Sequence, residues 1–264
     1  MTTRIAIHGA AGRMGQRLIA LGNESADLVI AAALESASHP MIGKDAGAVA
    51  GIGDIAVPLA ASPAGTVDAL IDFSVPEATN NAIELCTSQG IALVMATTGL
   101  SDDQQQMLNA AAESIPVVWA PNMSLAVNLT MKLSTIAAEA LKGLSSGVDV
   151  EIIERHHRYK EDAPSGTALK FGELIAGVMG QTESAHGREG RPGVRPRGEI
   201  GYHALRTGDD PGQHTIVFGM LGETIELRVG ATNRDCYAAG ALAAAKFAAQ
   251  QRPGMYNMYD VLGL

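Results

Sequence analysis

The sequence of 264 residues contains little cysteine, few aromatic side chains and no long apolar run. Its two cysteines, Cys86 and Cys236, belong to no C-x-x-C pair and no Cys/His cluster, which argues against a zinc site and against a disulfide framework. No apolar stretch reaches the roughly 20 residues that cross a bilayer. The first residues lead directly into a strand pattern, which predicts no signal peptide. We therefore expect a cytoplasmic protein with no metal and no membrane partner.

Positive charge is also scarce, because 19 Lys and Arg stand against 28 Asp and Glu, for a formal net charge of −9. This balance disfavours nucleic acid as a general partner. The local exception is a glycine-rich stretch with four arginines: Arg188, Arg191, Arg195 and Arg197. Such a stretch can contact RNA, but no aromatic residue interleaves the arginines to stack on bases. We favour a surface loop instead, and a subunit contact is one role for it.

Short apolar runs alternate with helix patterns over the first half of the chain. The predicted strands are Arg4–His8, Leu28–Leu34, Asp68–Ser74, Ile91–Met95 and Val117–Trp119. The predicted helices run from about 13 to 21, 76 to 88 and 101 to 113. Two of them begin with known start signals, Pro76 at a first helical position and Ser101 as an N-cap. Apolar strands that alternate with helices predict a parallel sheet covered on both faces.

The pattern changes near Asn122. A long helix is predicted from about 124 to 141, and strands follow at 148–154, 198–205, 214–218 and 223–229. The last of these alternates apolar and polar residues, as expected of an antiparallel strand with one face toward solvent or toward another subunit. A final Ala-rich helix is predicted over 237–250. The chain thus divides into an α/β half and an α+β half.

A glycine-rich turn joins the first strand to the first helix. It reads Gly9-Ala10-Ala11-Gly12-Arg13-Met14-Gly15, with the spacing G-x-x-G-x-x-G, because Ala11 stands where the dinucleotide fingerprint has its middle glycine. Such a turn alone can be purely structural. Here Glu35 follows Gly15 by twenty positions, at the end of the second strand, where an acid binds a ribose hydroxyl. The combination predicts dinucleotide binding, with the pyrophosphate at the helix N-terminus.

Glu35 also bears on the choice between NADH and NADPH. A carboxylate there repels a 2′-phosphate, and the next residue is Ser36 rather than a cation. We therefore expect NADH to be used at least as well as NADPH. The segments 96–99 and 120–124 follow two later strands and can be ordinary loops. Their position at the carboxyl ends of parallel strands favours contact with nicotinamide and ribose.

The most informative run is 154–168, which carries two histidines, two arginines and a lysine within six positions on an acidic chain. A basic run is usually a solvated face, and Pro164-Ser165-Gly166-Thr167 alone is an ordinary helix entry. Together they favour a site for a small anion, most simply a carboxylate. Helix-start amides at Gly166 and Thr167 bind anions, and His156 and His157 add proton-transfer capacity.

These residues make the chain resemble the 4-hydroxy-tetrahydrodipicolinate reductase family. The signature is Glu154-x-His156-His157-Arg158-x-Lys160-x-Asp162-Ala163-Pro164-Ser165-Gly166-Thr167-Ala168. The resemblance runs from the glycine-rich turn to the final Tyr259-Asp260-Val261-Leu262. It is supported by Ile200-Gly201-Tyr202-His203, by Arg206 with Gly208, and by Gly212-x-His214-Thr215.

The resemblance implies an α/β fold with two domains. A Rossmann-like parallel-sheet nucleotide domain would comprise 1–127 with 238–264. An α+β domain of 128–237, with a mixed sheet, would bind substrate and assemble a homotetramer. The implied reaction is reduction of 4-hydroxy-tetrahydrodipicolinate, a small cyclic dicarboxylate, to tetrahydrodipicolinate with loss of water. NADH or NADPH would supply the hydride, in lysine and diaminopimelate biosynthesis.

The resemblance also implies residue roles. His156 looks like the acid–base residue, and Lys160 looks like a second proton donor that faces a substrate carboxylate. The expected substrate-binding residues are His157, Ser165, Gly166 and Thr167. The expected cofactor-binding residues are Gly9, Ala10, Ala11, Gly12, Arg13, Met14, Glu35, Ala96, Thr97, Thr98, Ala120, Pro121, Asn122 and Met123. Strict strand alternation would send His156 and His157 to opposite faces, so both reach one site only if the strand ends there.

Two other functions are compatible with a dinucleotide-binding half. One is a different dehydrogenase, acting on an amino acid or a semialdehyde, which would lack the Ser165-Gly166-Thr167 carboxylate cradle. The other is a nucleotide-sensing regulator without chemistry, which would be expected to carry a basic helix-turn-helix. The sequence contains the cradle and no such helix-turn-helix pattern, so the reductase is favoured.

Overall fold

The computed structural model describes residues 2–264, which form two compact units. One unit comprises the chain up to Leu125 together with Arg234–Leu264, and the other comprises Ala126–Asn233. The boundaries expected from the sequence, 127/128 and 237/238, lie a few residues further along the chain. Within residues 2–264, no helix is both long and apolar enough to cross a membrane.

The described residues contain twelve strands and eight helices. The strands are β1 (Thr3–His8), β2 (Leu28–Leu34), β3 (Leu59–Ala60), β4 (Ala69–Asp72), β5 (Ala92–Met95), β6 (Pro116–Trp119), β7 (Asp149–His156), β8 (Glu183–His186), β9 (Glu199–Arg206), β10 (Gln213–Met220), β11 (Glu223–Gly230) and β12 (Gly254–Tyr256). The helices are α1 (Arg13–Glu24), α2 (Ala46–Ala50), α3 (Pro76–Gln89), α4 (Asp102–Ala111), α5 (Leu125–Leu141), α6 (Gly166–Met179), α7 (Asp235–Ala248) and α8 (Met258–Leu262).

The first unit is built on a seven-stranded sheet in the order β12-β6-β5-β4-β1-β2-β3, and all its neighbouring strands are parallel. The predicted parallel sheet is therefore confirmed, and all five of its predicted strands are present. The sequence did not predict β3 and β12, because two or three residues are too short to display a period of two. The chain after α7 adds β12 to the edge next to β6.

Both faces of this sheet are covered, as the unbroken apolar strands predicted. Along β1, Ile5 and Ile7 belong to one buried cluster and Ala6 to the other. Helices α1 and α7 pack together on the first face, and α3 and α4 pack together on the second. Local signals set the helix ends: Ser101 and Gln104 form a capping box on α4, and Gly90 ends α3 in a left-handed conformation with φ of 66°.

The second unit contains a five-stranded mixed sheet in the order β11-β10-β7-β9-β8. Strand β10 runs antiparallel to β11 and β7, whereas β9 runs parallel to β7 and β8. Helix α6 packs against β7 and β9. Alternation along β7 therefore buries Val150, Ile152, Glu154 and His156 on one face. The predicted mixed sheet is confirmed, with β8 as an additional strand.

The arginine-rich stretch after β8 is bound to acidic residues of the mixed sheet. Arg188 and Arg195 both donate to Glu151, and Arg188 also contacts Glu199. Burial alone would raise the pKa of Glu151, but hydrogen bonds from Arg188, His203 and Arg195 lower it to about 2. Two of the four arginines are thus neutralised within the unit, which supports a surface loop over an RNA site.

Helix α6 offers a matched test of its packing against the sheet. A Cβ added to Gly172 would lie 1.8 Å from the Tyr202 Oη, whereas a Cβ at Gly177 would meet nothing within 4 Å. We predict that Gly172→Ala lowers the free energy of unfolding by about 1–3 kcal/mol through overpacking. The control Gly177→Ala raises it by about 0.5–1 kcal/mol through helix propensity. Urea unfolding measures both, and equal effects at the two glycines would contradict this packing.

Candidate active site and cofactor edge

The carboxyl ends of the parallel strands place the predicted cofactor residues along one edge of the first sheet. Parallel strands all end on the same side, so the loops after β1, β2, β5 and β6 become neighbours. The residues brought to this edge are Gly9–Met14, Glu35, Ala96–Thr98 and Ala120–Met123. Thr98 and Pro121 are exposed there, while Ala96 and Thr97 are buried.

The glycine-rich turn is tightly closed, and two of its glycines are sterically required. Gly9 has φ of +78°, and a Cβ added to it would lie 2.9 Å from the Phe73 carbonyl oxygen. A Cβ at Gly15 would lie 2.2 Å from the Gly9 carbonyl oxygen, so α1 approaches the turn too closely for any side chain there. Gly12 is the N-cap of α1, which aims the first amides of the helix at this edge.

Glu35 is attached directly to this turn. The Ala11 N–H donates to its Oε1 at 2.8 Å, and the Glu35 N–H donates to the Ala60 carbonyl oxygen at 2.9 Å. This bond uses only the backbone N–H of Ala11, so it does not require the glycine that the dinucleotide fingerprint has at this position. A tight turn, a helix N-terminus and a strand-end carboxylate are the parts that a dinucleotide requires, so these residues fit NAD(H) or NADP(H).

In the second unit, β7 ends at His156. The strand alternation that would send His156 and His157 to opposite faces of the sheet therefore stops between them. His156 still faces the buried side of the sheet. His157 is the first residue after the strand, and its N–H donates at 2.8 Å to the carbonyl oxygen of Asp210 in the loop between β9 and β10. Alternation therefore does not fix the direction of His157. Within residues 2–264, its buried Nδ1 has no hydrogen-bond partner.

Glu154 is the centre of the site, and its side chain is 1% exposed. Its Oε2 lies 2.6 Å from His156 Nδ1, and its Oε1 accepts a bond from the Ser165 N–H at 3.0 Å. Arg206, at the end of β9, reaches both carboxylate oxygens, at 2.8 and 2.7 Å. One carboxylate thus joins the acid–base candidate, the start of α6 and a neighbouring strand.

These partners decide the charge of Glu154. Burial alone would raise the pKa of its carboxyl group, but hydrogen bonds from Arg206 and His156 outweigh burial and hold the pKa below its usual value. Because an ionised carboxylate can only accept hydrogen bonds, Nδ1 of His156 carries a proton and donates to Glu154. Nε2 is then the ring nitrogen that can exchange a proton. A Cβ added to Gly212 would lie 2.8 Å from this Nε2, so glycine keeps the space beside it open.

His214 is a third imidazole of the same cluster. It is the register partner of Glu154 on β10, and its ring centroid lies 5.3 Å from that of His156. Burial, together with the nearby charge of His156, lowers the pKa of His214 to about 4, so the ring is neutral at pH 7. Its Nε2 pairs with the Ser165 Oγ at 3.0 Å.

Ser165 caps α6 and is 2% exposed. Its Oγ accepts a bond from the Ala168 N–H at 3.2 Å, in addition to the contact with His214. The hydroxyl, predicted to bind substrate, thus has two internal partners. Gly166 and Thr167 are the first two residues of α6, where the helix dipole favours an anion.

The Lys160 ammonium lies at the exposed side of the cluster and already has a carboxylate partner. Its Nζ donates to both oxygens of Asp162, at 2.7 and 2.9 Å. This hydrogen bond lowers the pKa of Asp162 below its usual value. The charge of Lys160 also acts on His214, whose protonation it disfavours. Lys160 is therefore electrostatically part of the cluster, and its pairing shows that it can bind a carboxylate.

No role was predicted from the sequence for Glu154, Arg206 and His214, although all three stand in the quoted motifs. Glu154 could have been found from the strand period, because it lies two residues before His156 and so shares its face. Arg206 and His214 depend on the pairing of β7 with β9 and β10, over more than fifty residues of chain, and no local pattern predicts that pairing.

A dinucleotide-binding sheet edge and a buried acid–base cluster in one chain define a class of protein, the oxidoreductases that use a dinucleotide. Two family models then match the chain. The N-terminal domain of dihydrodipicolinate reductase matches residues 3–123, and the C-terminal domain of that enzyme matches residues 126–262. The chain belongs to the dihydrodipicolinate reductase family.

Full-length relatives agree with the family models. The chain is 57% identical to the 4-hydroxy-tetrahydrodipicolinate reductase of Rhodopirellula baltica, over 98% of this chain and 96% of that one. It is 47% identical to that of Alkalilimnicola ehrlichii, over the whole of both. Its fold is similar to the dipicolinate-bound dihydrodipicolinate reductase from Paenisporosarcina sp. TG-14, with a TM-score of 0.78, 26% identity, and coverage of 98% and 99%.

The neutral His214 makes stability depend on pH in a defined window. Its pKa is about 4 in the folded protein against 6.5 ordinarily, so below pH 6.5 the unfolded chain binds a proton that the folded chain does not. Stability therefore falls as pH drops from 6.5 to 4, by up to about 3 kcal/mol from this residue. We predict that His214→Gln, which keeps a partner for Ser165, flattens this part of the profile. Urea unfolding at pH 7 and pH 4.5 measures the change, and an unaltered slope would contradict it.

Proposed function

We propose that this protein reduces 4-hydroxy-tetrahydrodipicolinate to tetrahydrodipicolinate with NAD(P)H and loss of water, in lysine and diaminopimelate biosynthesis. The observation that carries the proposal is the Glu154 carboxylate, which holds His156 beside the start of α6. This arrangement puts a proton donor next to an anion-binding helix end, as reduction of a diacid requires. The relatives named above for this reaction extend over nearly the whole chain.

The residues supply the protonation step. Loss of water from 4-hydroxy-tetrahydrodipicolinate leaves a cyclic conjugated imine. NAD(P)H would supply the hydride to this imine when it is bound, and the anion that results needs one proton. His156 gives that proton from Nε2, because Nδ1 is engaged by Glu154. Positioned acids of this kind contribute roughly 10²- to 10⁴-fold to rate. Neutral His214 adds no positive charge beside His156, so it does not oppose the imidazolium form.

The remaining cations and amides bind the two carboxylates. The first amides of α6, at Gly166 and Thr167, receive one carboxylate with the favourable helix dipole. Lys160 exchanges its Asp162 partner for a substrate carboxylate, and it also serves as a second proton donor. His157 completes the set with its buried Nδ1. Dipicolinate, the ligand named for the solved relative, is itself a cyclic diacid.

The direct test is a coupled assay. The protein is mixed with NADH and freshly prepared condensation product of pyruvate and aspartate semialdehyde, and NADH absorbance is followed. Oxidation that depends on this product supports the reductase. Binding of NADH without turnover supports a nucleotide sensor. Oxidation of NADH with another semialdehyde, or reduction of NAD⁺ with an amino acid, supports a different dehydrogenase.

Lys160 is tested against a matched lysine on α6. Lys170 also pairs with an acid of its own segment, Glu173, but it lies on the exposed side of the helix. We predict that Lys160→Ala lowers kcat/KM for the diacid by about 10²-fold, because it removes both a carboxylate partner and a proton donor. Lys170→Ala leaves kcat/KM within about twofold, as surface ion pairs contribute little. Equal kinetics for the two variants would remove Lys160 from the site.

The cofactor preference follows from the end of β2. Glu35 is held against the turn by the Ala11 N–H, so its negative charge is fixed beside the ribose position, and Ser36 and Ser38 beyond it are uncharged and exposed. We predict that kcat/KM with NADH equals or exceeds that with NADPH. Steady-state kinetics with both cofactors at constant ionic strength measures the ratio. A hundredfold preference for NADPH would refute the proposal.

The protein assembles as a homotetramer through the face of the mixed sheet opposite α6. Ile153 and Leu205 point to this face and are 39% and 46% exposed, which is unusual for large apolar residues in the middle of a sheet. We predict a tetramer by light scattering after gel filtration, and dissociation to smaller species in Ile153→Asp. The control Leu144→Asp, at an equally exposed leucine in the loop after α5, remains tetrameric. A monomeric parent protein would contradict the assignment.

A further inference from the structure

A second buried carboxylate lies in the first unit, at a residue for which the sequence predicted no role. Asp72 is the last residue of β4 and is completely buried. Its Oδ1 lies 2.8 Å from His8 Nδ1 and accepts a bond from the Ser74 Oγ at 2.5 Å, and its Oδ2 accepts one from the Thr97 Oγ1 at 3.1 Å. A carboxylate removed from water is costly unless such partners compensate.

The position of this pair in the sheet is specific. From β1 the chain continues outward through β2 and β3, and it then returns to the other side of β1 to form β4, β5 and β6. The strand order therefore reverses between β1 and β4, which is where open parallel sheets bind their ligands. His8 and Asp72 are register partners at the carboxyl ends of these two strands.

Two loops at the cofactor edge, after β4 and after β5, bond to this carboxylate, and the turn after β1 packs against the first of them. The Thr97 Oγ1 bonds to Asp72 and also accepts a bond from the Ser74 N–H at 3.1 Å. The Ala96 N–H donates to the Asp72 carbonyl oxygen at 3.0 Å. The Gly9 turn lies against the same segment, since a Cβ on Gly9 would lie 3.0 Å from the Ser74 Cα. Asp72 thus sets the spacing between the turn after β1 and the loop after β5.

We propose that His8 is a positioning residue for the cofactor. Through its Nδ1–H it anchors Asp72, and Asp72 holds Thr97 and Ser74 in the arrangement that receives the dinucleotide. The inference rests on the proposed function, because it assumes that NADH occupies this edge of the sheet. The His8 side chain is 15% exposed, but its proposed role depends only on Nδ1, which bonds to the buried Asp72.

The two nitrogens of the ring can be separated by substitution. Asparagine at position 8 places an N–H₂ donor close to the position of Nδ1 and has no group at the position of Nε2. His8→Asn therefore retains the bond to Asp72, whereas His8→Ala loses it and leaves a buried carboxylate short of a donor. Asp72 itself is a poor target, because its replacement disturbs four hydrogen bonds of a fully buried group.

The experiment measures NADH dissociation constants for the parent, His8→Ala and His8→Asn by nicotinamide fluorescence, with thermal unfolding of each in the absence of cofactor. Loss of a charge-assisted hydrogen bond that orders the loops is expected to weaken NADH binding about tenfold in His8→Ala. His8→Asn should bind within about twofold of the parent. KM for the diacid should be unchanged in both variants.

Two results would overturn the inference. In one, His8→Ala unfolds at lower temperature but its folded form binds NADH as the parent does, which makes His8 purely structural. In the other, His8→Asn binds as weakly as His8→Ala, which assigns the effect to Nε2 and not to the anchoring of Asp72. If the parent protein itself neither binds nor oxidises NADH, the proposed reductase function fails. That result differs from failure of the His8 proposal, in which the parent binds NADH and only the variants contradict the prediction.

Discussion

The hydrogen bonds of the Glu154 carboxylate are the interaction on which the rest of the site depends. A carboxylate that is 1% exposed would be strongly disfavoured without compensation, and here His156, Arg206 and the Ser165 amide provide it. Each partner comes from a different element. The carboxylate therefore fixes the His156 imidazole, the end of β9 and the start of α6 relative to one another, and a change in any one of them reaches the others.

The same arrangement recurs in the first unit with Asp72. Both carboxylates lie at or near the carboxyl end of a strand, and both accept a bond from a histidine Nδ1. Each also bonds to the segment that follows its own strand, at Ser165 and at Ser74. The physical reason is shared. Loops at a sheet edge have few backbone partners of their own, so a buried side chain with several acceptor positions is an efficient way to fix them. Rigid support of this kind is what a hydride transfer between two bound molecules needs.

Local patterns predicted most of the fold. The five buried strands, the capped helices and the change to an α+β half were visible as periods and start signals, whereas the mixed sheet was implied by the family resemblance. The motif from His156 to Thr167 predicted the region of the candidate site. The short elements α2, β3, β8, β12 and α8 were not predicted. Strands β3 and β12 have only two and three residues, β8 has no apolar run, and five residues are too few for α2 and α8 to display a helical period. Their existence depends on packing against elements that lie far away in the sequence.

The supporting residues of the site were harder to predict than its candidates. His156 and Lys160 stand in a run of unusual charge, whereas Arg206 and His214 look ordinary until strand register places them beside β7. His8 and Asp72 are a similar case, since each is a polar residue that ends an apolar strand and only their pairing gives them a shared role. Register is set by the whole sheet, so sequence alone did not assign these contacts.

In the proposed mechanism His156 and Glu154 form one functional unit, and a double-mutant cycle on kcat tests this most directly. Glu154→Gln, His156→Gln and the double variant are compared with the parent at saturating NADH and diacid, after unfolding curves show that all are folded. Each single variant should lower kcat by on the order of 10²-fold, and the double variant should be no slower than the slower single variant. Near-normal turnover in Glu154→Gln, or losses that multiply in the double variant, would contradict the account.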